Sequence, residues 1–283
     1  MAQPRDLTAS ATGQRFTAAG WLDVHFEALR PEYEAQLRAV GIQPGWRVLD
    51  AACGSGSFLP WLAELVGPTG NLSALDLAPD NVAIVERRLA DWDLPCPVEV
   101  RVGNVLALPY PDDTFDALWF ANTSQYLTDA ELATALAEFR RVVRPGGLIA
   151  VKEADVTLYR VVPAPAGLLS RWAQARARSG ELWAAGCLRA STLPGWLRRA
   201  GLQEVPQRTT LIERAAPLDQ ASRAYLSAAL SVLAVAAVEM GLPADDQDTW
   251  ARLGDPTALA AFLDDPECCI TQANILVVGT VPT

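Results

Sequence analysis

Two carboxylates and a pair of glycines are placed where they could do chemistry together. Asp50 closes the apolar run "RVL", and Gly54 and Gly56 follow four and six residues later, ahead of an apolar stretch with helical spacing. Asp76 closes a second apolar run, "NLSAL", 26 residues after Asp50. A strand, a glycine turn and a helix start commonly cradle a phosphate. Here the acid at the mouth of the turn repels a pyrophosphate and attracts a cation. The dinucleotide fingerprint G-x-G-x-x-G is also incomplete, because Leu59 holds its third glycine position. An acid ending a second strand can take both hydroxyls of a ribose. The pattern asks for a nucleoside without phosphates that carries positive charge nearby.

These residues need a sheet to hold them. Short apolar runs at 47–52, 71–77, 98–103, 115–122 and 148–154 alternate with helical patterns at 55–66, 80–92 and 129–143. The third helix opens on a capping box, Thr128 with Glu131. Strand–helix alternation with short apolar strands predicts a doubly wound parallel α/β sheet. Two further strands are expected at 202–214 and 269–281, with helices at 166–185 and 191–200 and a helical insertion over 217–264. Before all of them, residues 21–40 read as two short helices broken at Pro31. The expected organisation is an N-terminal arm with cover helices (1–43) and one α/β domain (44–283). Segments 155–190 and 215–265 are expected to cover the acceptor.

Several stretches together resemble the class I S-adenosylmethionine-dependent methyltransferase family, in its small-molecule, natural-product branch. "VLDAACGSGSF" resembles the family's first motif and "ALDLAPD" its second. "VGNVLALPYPDDTFDALWF" and "FRRVVRPGGLIAV" resemble the segments around strands four and five. The resemblance covers residues 44–154 and implies a seven-stranded Rossmann-like sheet with S-adenosyl-L-methionine as cofactor. It implies that Gly54 and Gly56 let the backbone approach the methionine part, beside Asp50, with the Ala52 carbonyl on its ammonium. Asp76 would hold the ribose and Leu77 would pack on the adenine. Asn104, where the family usually has aspartate, would accept from the adenine amino group, with Val105 in the same set. Asn122 would lie near the ammonium or the sulfonium. Tyr126 stands where many relatives carry histidine.

Methyl transfer needs alignment of acceptor, methyl and sulfur, and in some cases a base. His25 is the one imidazole of the chain, and Tyr33 follows eight residues later. Glu153 and Asp155 end strand five, where acceptors bind in such sheets. His25 or Tyr33 is the expected base, assisted by Glu153. Nine tryptophans and further aromatics (Phe16, Trp21, Phe26, Tyr159, Trp172, Trp183, Tyr225, Trp250 and Phe262) suit a flat apolar acceptor or a plain core. The acceptor is read as a small aromatic or apolar molecule, with an indole-type natural product one form of it.

Composition narrows the field. A net charge of −10 argues against nucleic acid and anionic membranes as partners. Five cysteines without a C-x-x-C, and one histidine, leave no metal set. The first sixteen residues lack the apolar core of a signal peptide, and the longest apolar run, 224–238, is too short to span a bilayer. A reduced, cytoplasmic, bacterial enzyme of specialised metabolism is expected. Leu226, Leu230 and Leu233 could form a homodimer seam or pack on their own domain. Two other functions fit the same architecture: an NAD(P)-dependent oxidoreductase, disfavoured by Asp50 and Leu59, and a non-catalytic S-adenosylmethionine-binding protein.

Overall fold

A computed structural model of the chain describes residues 9–14, 16–237 and 241–283. Residues 1–8, half of the stretch read for a signal peptide, lie outside the described residues, as do Arg15 and residues 238–240, the first of which ends the long apolar run.

Four parallel strands build one half of the sheet: β1 (Arg47–Ala51), β2 (Asn71–Asp76), β3 (Val98–Val102) and β4 (Phe115–Ala121). β5 (Val143–Ala154) continues the parallel set beside β4. β6 (Arg160–Val162), β7 (Gln207–Ala215) and β8 (Cys269–Thr280) complete it, with β8 antiparallel to β5, β6 and β7. The order runs β3-β2-β1-β4-β5-β8-β6, and β7 pairs with β8 as well. The described residues thus hold eight strands; the additional one, β6, is a three-residue extension that the sequence pattern was too short to reveal.

Both faces are covered. One face takes α1 (Ala19–Ala28), α2 (Arg30–Arg38), α3 (Leu59–Val66) and α4 (Pro79–Asp91). It also takes α6 (Leu168–Arg178), α9 (Gln220–Ala237), α10 (Ala244–Gly254) and α11 (Pro256–Leu263). The other face takes α5 (Asp129–Val142) and α8 (Leu193–Arg199), while α7 (Leu182–Leu188) follows α6. Strand side chains alternate between the two cores. Ala117 and Trp119 of β4 enter the first core, and Leu118 and Phe120 the second. In β5, Ala150 faces the first core, and Ile149 and Val151 the second.

The capping box forms as the sequence requires. Glu131 N–H donates to Thr128 Oγ1 at 3.2 Å, and Thr128 N–H to the Glu131 carboxylate at 2.8 Å. One helix starts later than its pattern suggests. α3 begins at Leu59 and not at residue 55, because Gly54 and Gly56 both take positive φ (+55° and +79°) and keep the chain turning. Among the described residues the insertion is three helices, and its leucines are not available for a dimer seam. Leu226, Leu230 and Leu233 are buried in their own core, where α9 packs on α1. Among the described residues no helix is long and apolar enough to cross a membrane.

Candidate active site

The C-terminal ends of β1, β2 and β4 open into a cavity of about 300 Å³. Its roof is the N-terminal segment: Ser10, Thr12, Phe16 and Leu22 line it, as do His25 and Tyr33.

At one end sit the two carboxylates. Asp76 is buried and accepts from Gly54 N–H at 2.8 Å, from Ala78 N–H at 2.9 Å and from Asn81 Nδ2 at 3.4 Å. Burial raises its pKa even so. Asp50 is 2% exposed, lines the cavity, and has no hydrogen-bond partner at Oδ2. Burial first, and the Asp76 carboxylate second, push Asp50 up to about 8. Two buried acids with raised pKa values make this end short of positive charge. Ala52 takes φ +66°, a conformation that side chains disfavour, and the chain turns there beside the acids. Leu77, 55% exposed, offers an apolar wall next to Asp76. Asn104 and Val105 line the same end, and Asn104 Oδ1 accepts from Leu106 N–H at 2.9 Å. A buried carboxylate oxygen without a partner, a close-approach glycine and an exposed apolar wall fit a cationic nucleoside.

The cover is fastened to the glycine loop. Arg88 of α4 grips Asp23 of α1 through two contacts of 2.5 and 3.0 Å and also donates to the Ser55 carbonyl at 2.8 Å. Ser55 Oγ donates to Asp23 Oδ1 at 2.8 Å. Nearer the start of the chain, Ala11 N–H donates to Asp80 and Asn81 Nδ2 to the Thr17 carbonyl.

At the other end the cavity is aromatic. Phe26, Phe58 and Tyr126 line it with His25 and Tyr33. Tyr33 Oη lies 3.0 Å from His25 Nε2. Burial first, and the nearby Lys152 second, push His25 down to about 3, so its imidazole is neutral at neutral pH. Burial raises Tyr33 well above its ordinary value. Trp21 stacks on His25 with ring centres 5.8 Å apart, and Tyr225 packs on it from α9 at 5.1 Å.

Known proteins resemble this chain in the same region. Residues 48–147 match a family model described as a methyltransferase domain. They form a class I methyltransferase domain. The cofactor of such a domain is S-adenosylmethionine. A demethylmenaquinone methyltransferase of Lysinibacillus sphaericus is 33% identical over 123 residues, 42% of this chain and 49% of that protein. An uncharacterized 37.1 kDa protein in transposon Tn4556 of Streptomyces fradiae is 36% identical over 129 residues, 46% of this chain and 36% of that protein. The chain spans about half the length, or less, of these curated relatives. Among solved structures, the YcgJ protein of Bacillus subtilis shares the fold with a TM-score of 0.56 at 15% identity, over 89% of this chain and 99% of that one. A phosphoethanolamine N-methyltransferase 2 of Haemonchus contortus does so with a TM-score of 0.58 at 12% identity, over 100% of this chain and 61% of that one.

Within the methyltransferase domain and its cover, most of the expected site residues meet in one cavity. Asp50, Ala52, Gly54, Asp76, Leu77, Asn104, Val105 and Asn122 line it, with His25 and Tyr33. Two do not. Gly56 faces α4: a Cβ there would stand 3.0 Å from Val85 Cγ2 and 3.1 Å from Leu59 Cδ1, so this glycine serves helix packing. Glu153 points to the other face of β5, as strand alternation demands, and its Oε1 accepts from Ser124 N–H at 2.7 Å. Asp155 is likewise buried and bonded to Thr157. The expected acceptor covers at 155–190 and 215–265 also stand behind the cavity. Trp183 backs Phe16 and Tyr225 backs His25, but neither segment contributes a lining residue.

Sequence reasoning passed over Lys152. It is fully buried, donates to Asn122 Oδ1 at 2.6 Å, and lies 3.7 Å from the centre of the Tyr33 ring. A lysine inside the apolar strand "LIAVKEA" was the available signal.

Proposed function

We propose that this chain transfers a methyl group from S-adenosylmethionine to a small aromatic acceptor. S-adenosylmethionine, when bound, supplies a methyl group carried on a sulfonium. The observation that carries the reading is the polarity of the cavity at the strand ends. Charge-hungry carboxylates, Asp50 and Asp76, stand at one end, and an aromatic end with a neutral His25 stands at the other.

On this reading Asp76 holds the ribose and Asp50 faces the ammonium. Gly54 lets the backbone approach, the Ala52 carbonyl adds an acceptor, and Leu77, Asn104 and Val105 take the adenine. Phe26, Phe58 and Tyr126 hold the acceptor ring and exclude water. His25, neutral and in contact with Tyr33, shares a hydrogen bond with the acceptor and orients it. The net charge of −10 and the apolar walls support a flat acceptor that arrives uncharged, an indole-type natural product among them. The name carried by several relatives, demethylmenaquinone methyltransferase, supports a small-molecule acceptor.

The test is calorimetric titration with S-adenosylmethionine and S-adenosylhomocysteine, beside an Asp76→Ala variant, followed by an acceptor panel of indoles and phenols. Saturable binding that the variant loses, with turnover on the panel, is expected. A folded protein that binds neither ligand overturns the reading.

A further inference from the structure

The buried Lys152 lines no part of the cavity, yet it stands directly behind its aromatic end. Its neighbours are unusual for an ammonium. No carboxylate bonds it among the contacts of the described residues; Asn122 Oδ1 at 2.6 Å and the face of Tyr33 at 3.7 Å receive it. Both of those residues line the cavity, whereas Lys152 does not. Asn122 sits at φ +55°, so its backbone is turned to meet the lysine: its N–H donates to the Lys152 carbonyl at 2.8 Å while its side chain accepts from Nζ. The charge is felt at His25, whose imidazole it helps to keep neutral.

The acids nearby are placed elsewhere. Glu153 lies across the strand and is bonded to Ser124, and Glu32 is paired with Arg214. Asp50 and Asp76 belong to the far end of the cavity, and Glu131 is held by Thr128. Tyr225, Tyr159 and Tyr126 are further titratable groups at this end, and burial raises all three, so they stay neutral. An acceptor bearing an amine would bring a cation toward a cation. An acceptor whose oxygen gains negative charge would meet a positive potential in a dry, low-dielectric wall, where such fields act strongly.

We propose that the acceptor carries an acidic hydroxyl, of the phenol or enol class, and that Lys152 favours its anion through Asn122 and Tyr33, the proton leaving to solvent on binding. This rests on the methyltransferase reading and narrows its substrate class. Burial lowers the Lys152 pKa while Glu153 opposes that fall, and an anion docked at Tyr33 opposes it further. The bound anion and the charged lysine therefore favour one another. Lys152 is a positioning residue here, since two side chains separate it from the ligand.

The experiment loads the protein with S-adenosylhomocysteine and titrates it with 4-nitrophenol across pH, reading nitrophenolate absorbance. 4-Nitroaniline serves as the shape-matched probe that cannot form the anion. In wild type the bound phenol should ionise at a proton concentration about tenfold higher than the free phenol needs. The aniline should bind with no such dependence. Lys152→Met should remove the tenfold shift and keep S-adenosylhomocysteine binding within about twofold. Should that variant fail to fold, the wild-type contrast between the two probes still decides. Equal binding of both probes at every pH, or binding of neither to a loaded protein, overturns the proposal and leaves the cofactor reading standing. A folded wild type that binds no S-adenosylhomocysteine overturns both.

Discussion

Asp76 at the end of β2 accepts the N–H of Gly54 at 2.8 Å, so the acid that ends one strand holds the glycine loop that follows its neighbour. A second carboxylate oxygen accepts from Ala78 N–H at 2.9 Å. Asp76 thereby shapes the loop before any ligand is considered. Asp76→Ala should lose cofactor affinity by 100-fold or more, an order-of-magnitude figure for a bidentate charged acceptor. It should also lower stability by about 1–3 kcal/mol, because two buried N–H groups lose their partner. Calorimetry and chemical denaturation measure the two effects; a variant that binds as wild type does would remove Asp76 from the site.

Asp50 ties cofactor affinity to pH. Its carboxyl is raised from 3.8 to about 8, so at neutral pH the empty site holds it protonated. A cationic ligand favours the ionised form, and binding at pH 7 should release a proton. Affinity should climb as pH rises through about 8, and Asp50→Asn should abolish both effects. Titration in buffers of different ionisation enthalpy reads the proton count directly. For stability of the free protein the sign is opposite. The native state holds this proton more tightly, so the contribution is full below the unfolded value of 3.8 and is lost as pH rises through about 8.

A single imidazole makes His25 easy to follow. Its pKa falls from 6.5 to about 3, so its ring resonances should not move between pH 5 and pH 8. The stability it contributes is present above 6.5 and is lost as pH falls toward about 3. Proton NMR of the folded protein checks this, and a midpoint near 6.5 would show a solvated histidine outside the aromatic end.

The glycine loop contains one residue that should be a glycine and one glycine that must remain so. Ala52→Gly relieves φ +66° and should stabilise the fold by about 1 kcal/mol. Gly56→Ala keeps φ +79° and presses a methyl on Val85, and should destabilise it by about 1–2 kcal/mol. Paired denaturation curves test both signs at once.

Arg88→Met unfastens α1 from the loop. Both ends of the Arg88–Asp23 pair are about a third exposed (30% and 39%), so the loss should be only about 1 kcal/mol. If the fastening holds the roof over the cofactor, that loss appears as roughly fivefold weaker cofactor binding. An unchanged affinity with lowered stability would make the pair purely structural.

The parallel half of the sheet and the cofactor end were legible in the sequence, because both are local. Asp50, Gly54 and Asp76 stand at strand ends that periodicity locates. Glu153 was misplaced for a reason that strand periodicity could have supplied. With Ala150 facing α1 and α2, position 152 shares that face and position 153 cannot. The aromatic set was harder. Trp172 of α6 and Trp250 of the insertion pack on each other, and no periodicity distinguishes that burial from a ligand wall. The pairing of Tyr33 with His25 across the break at Leu29 depends on the angle between two helices, which sequence does not encode locally.

Among the described residues the roof of the cavity comes from a single part of the sequence, between Ser10 and Tyr33, while the strand ends supply its floor. Selectivity and scaffold are therefore separable. Exchange of a short N-terminal peptide could recast which molecules are accepted without disturbing the sheet. Such a graft would have to keep Asp23, which meets Ser55 and Arg88, Glu32, which pairs with Arg214, and Leu29, which is buried in the core. Diversification of this chain, by nature or by design, has its cheapest route at the amino end.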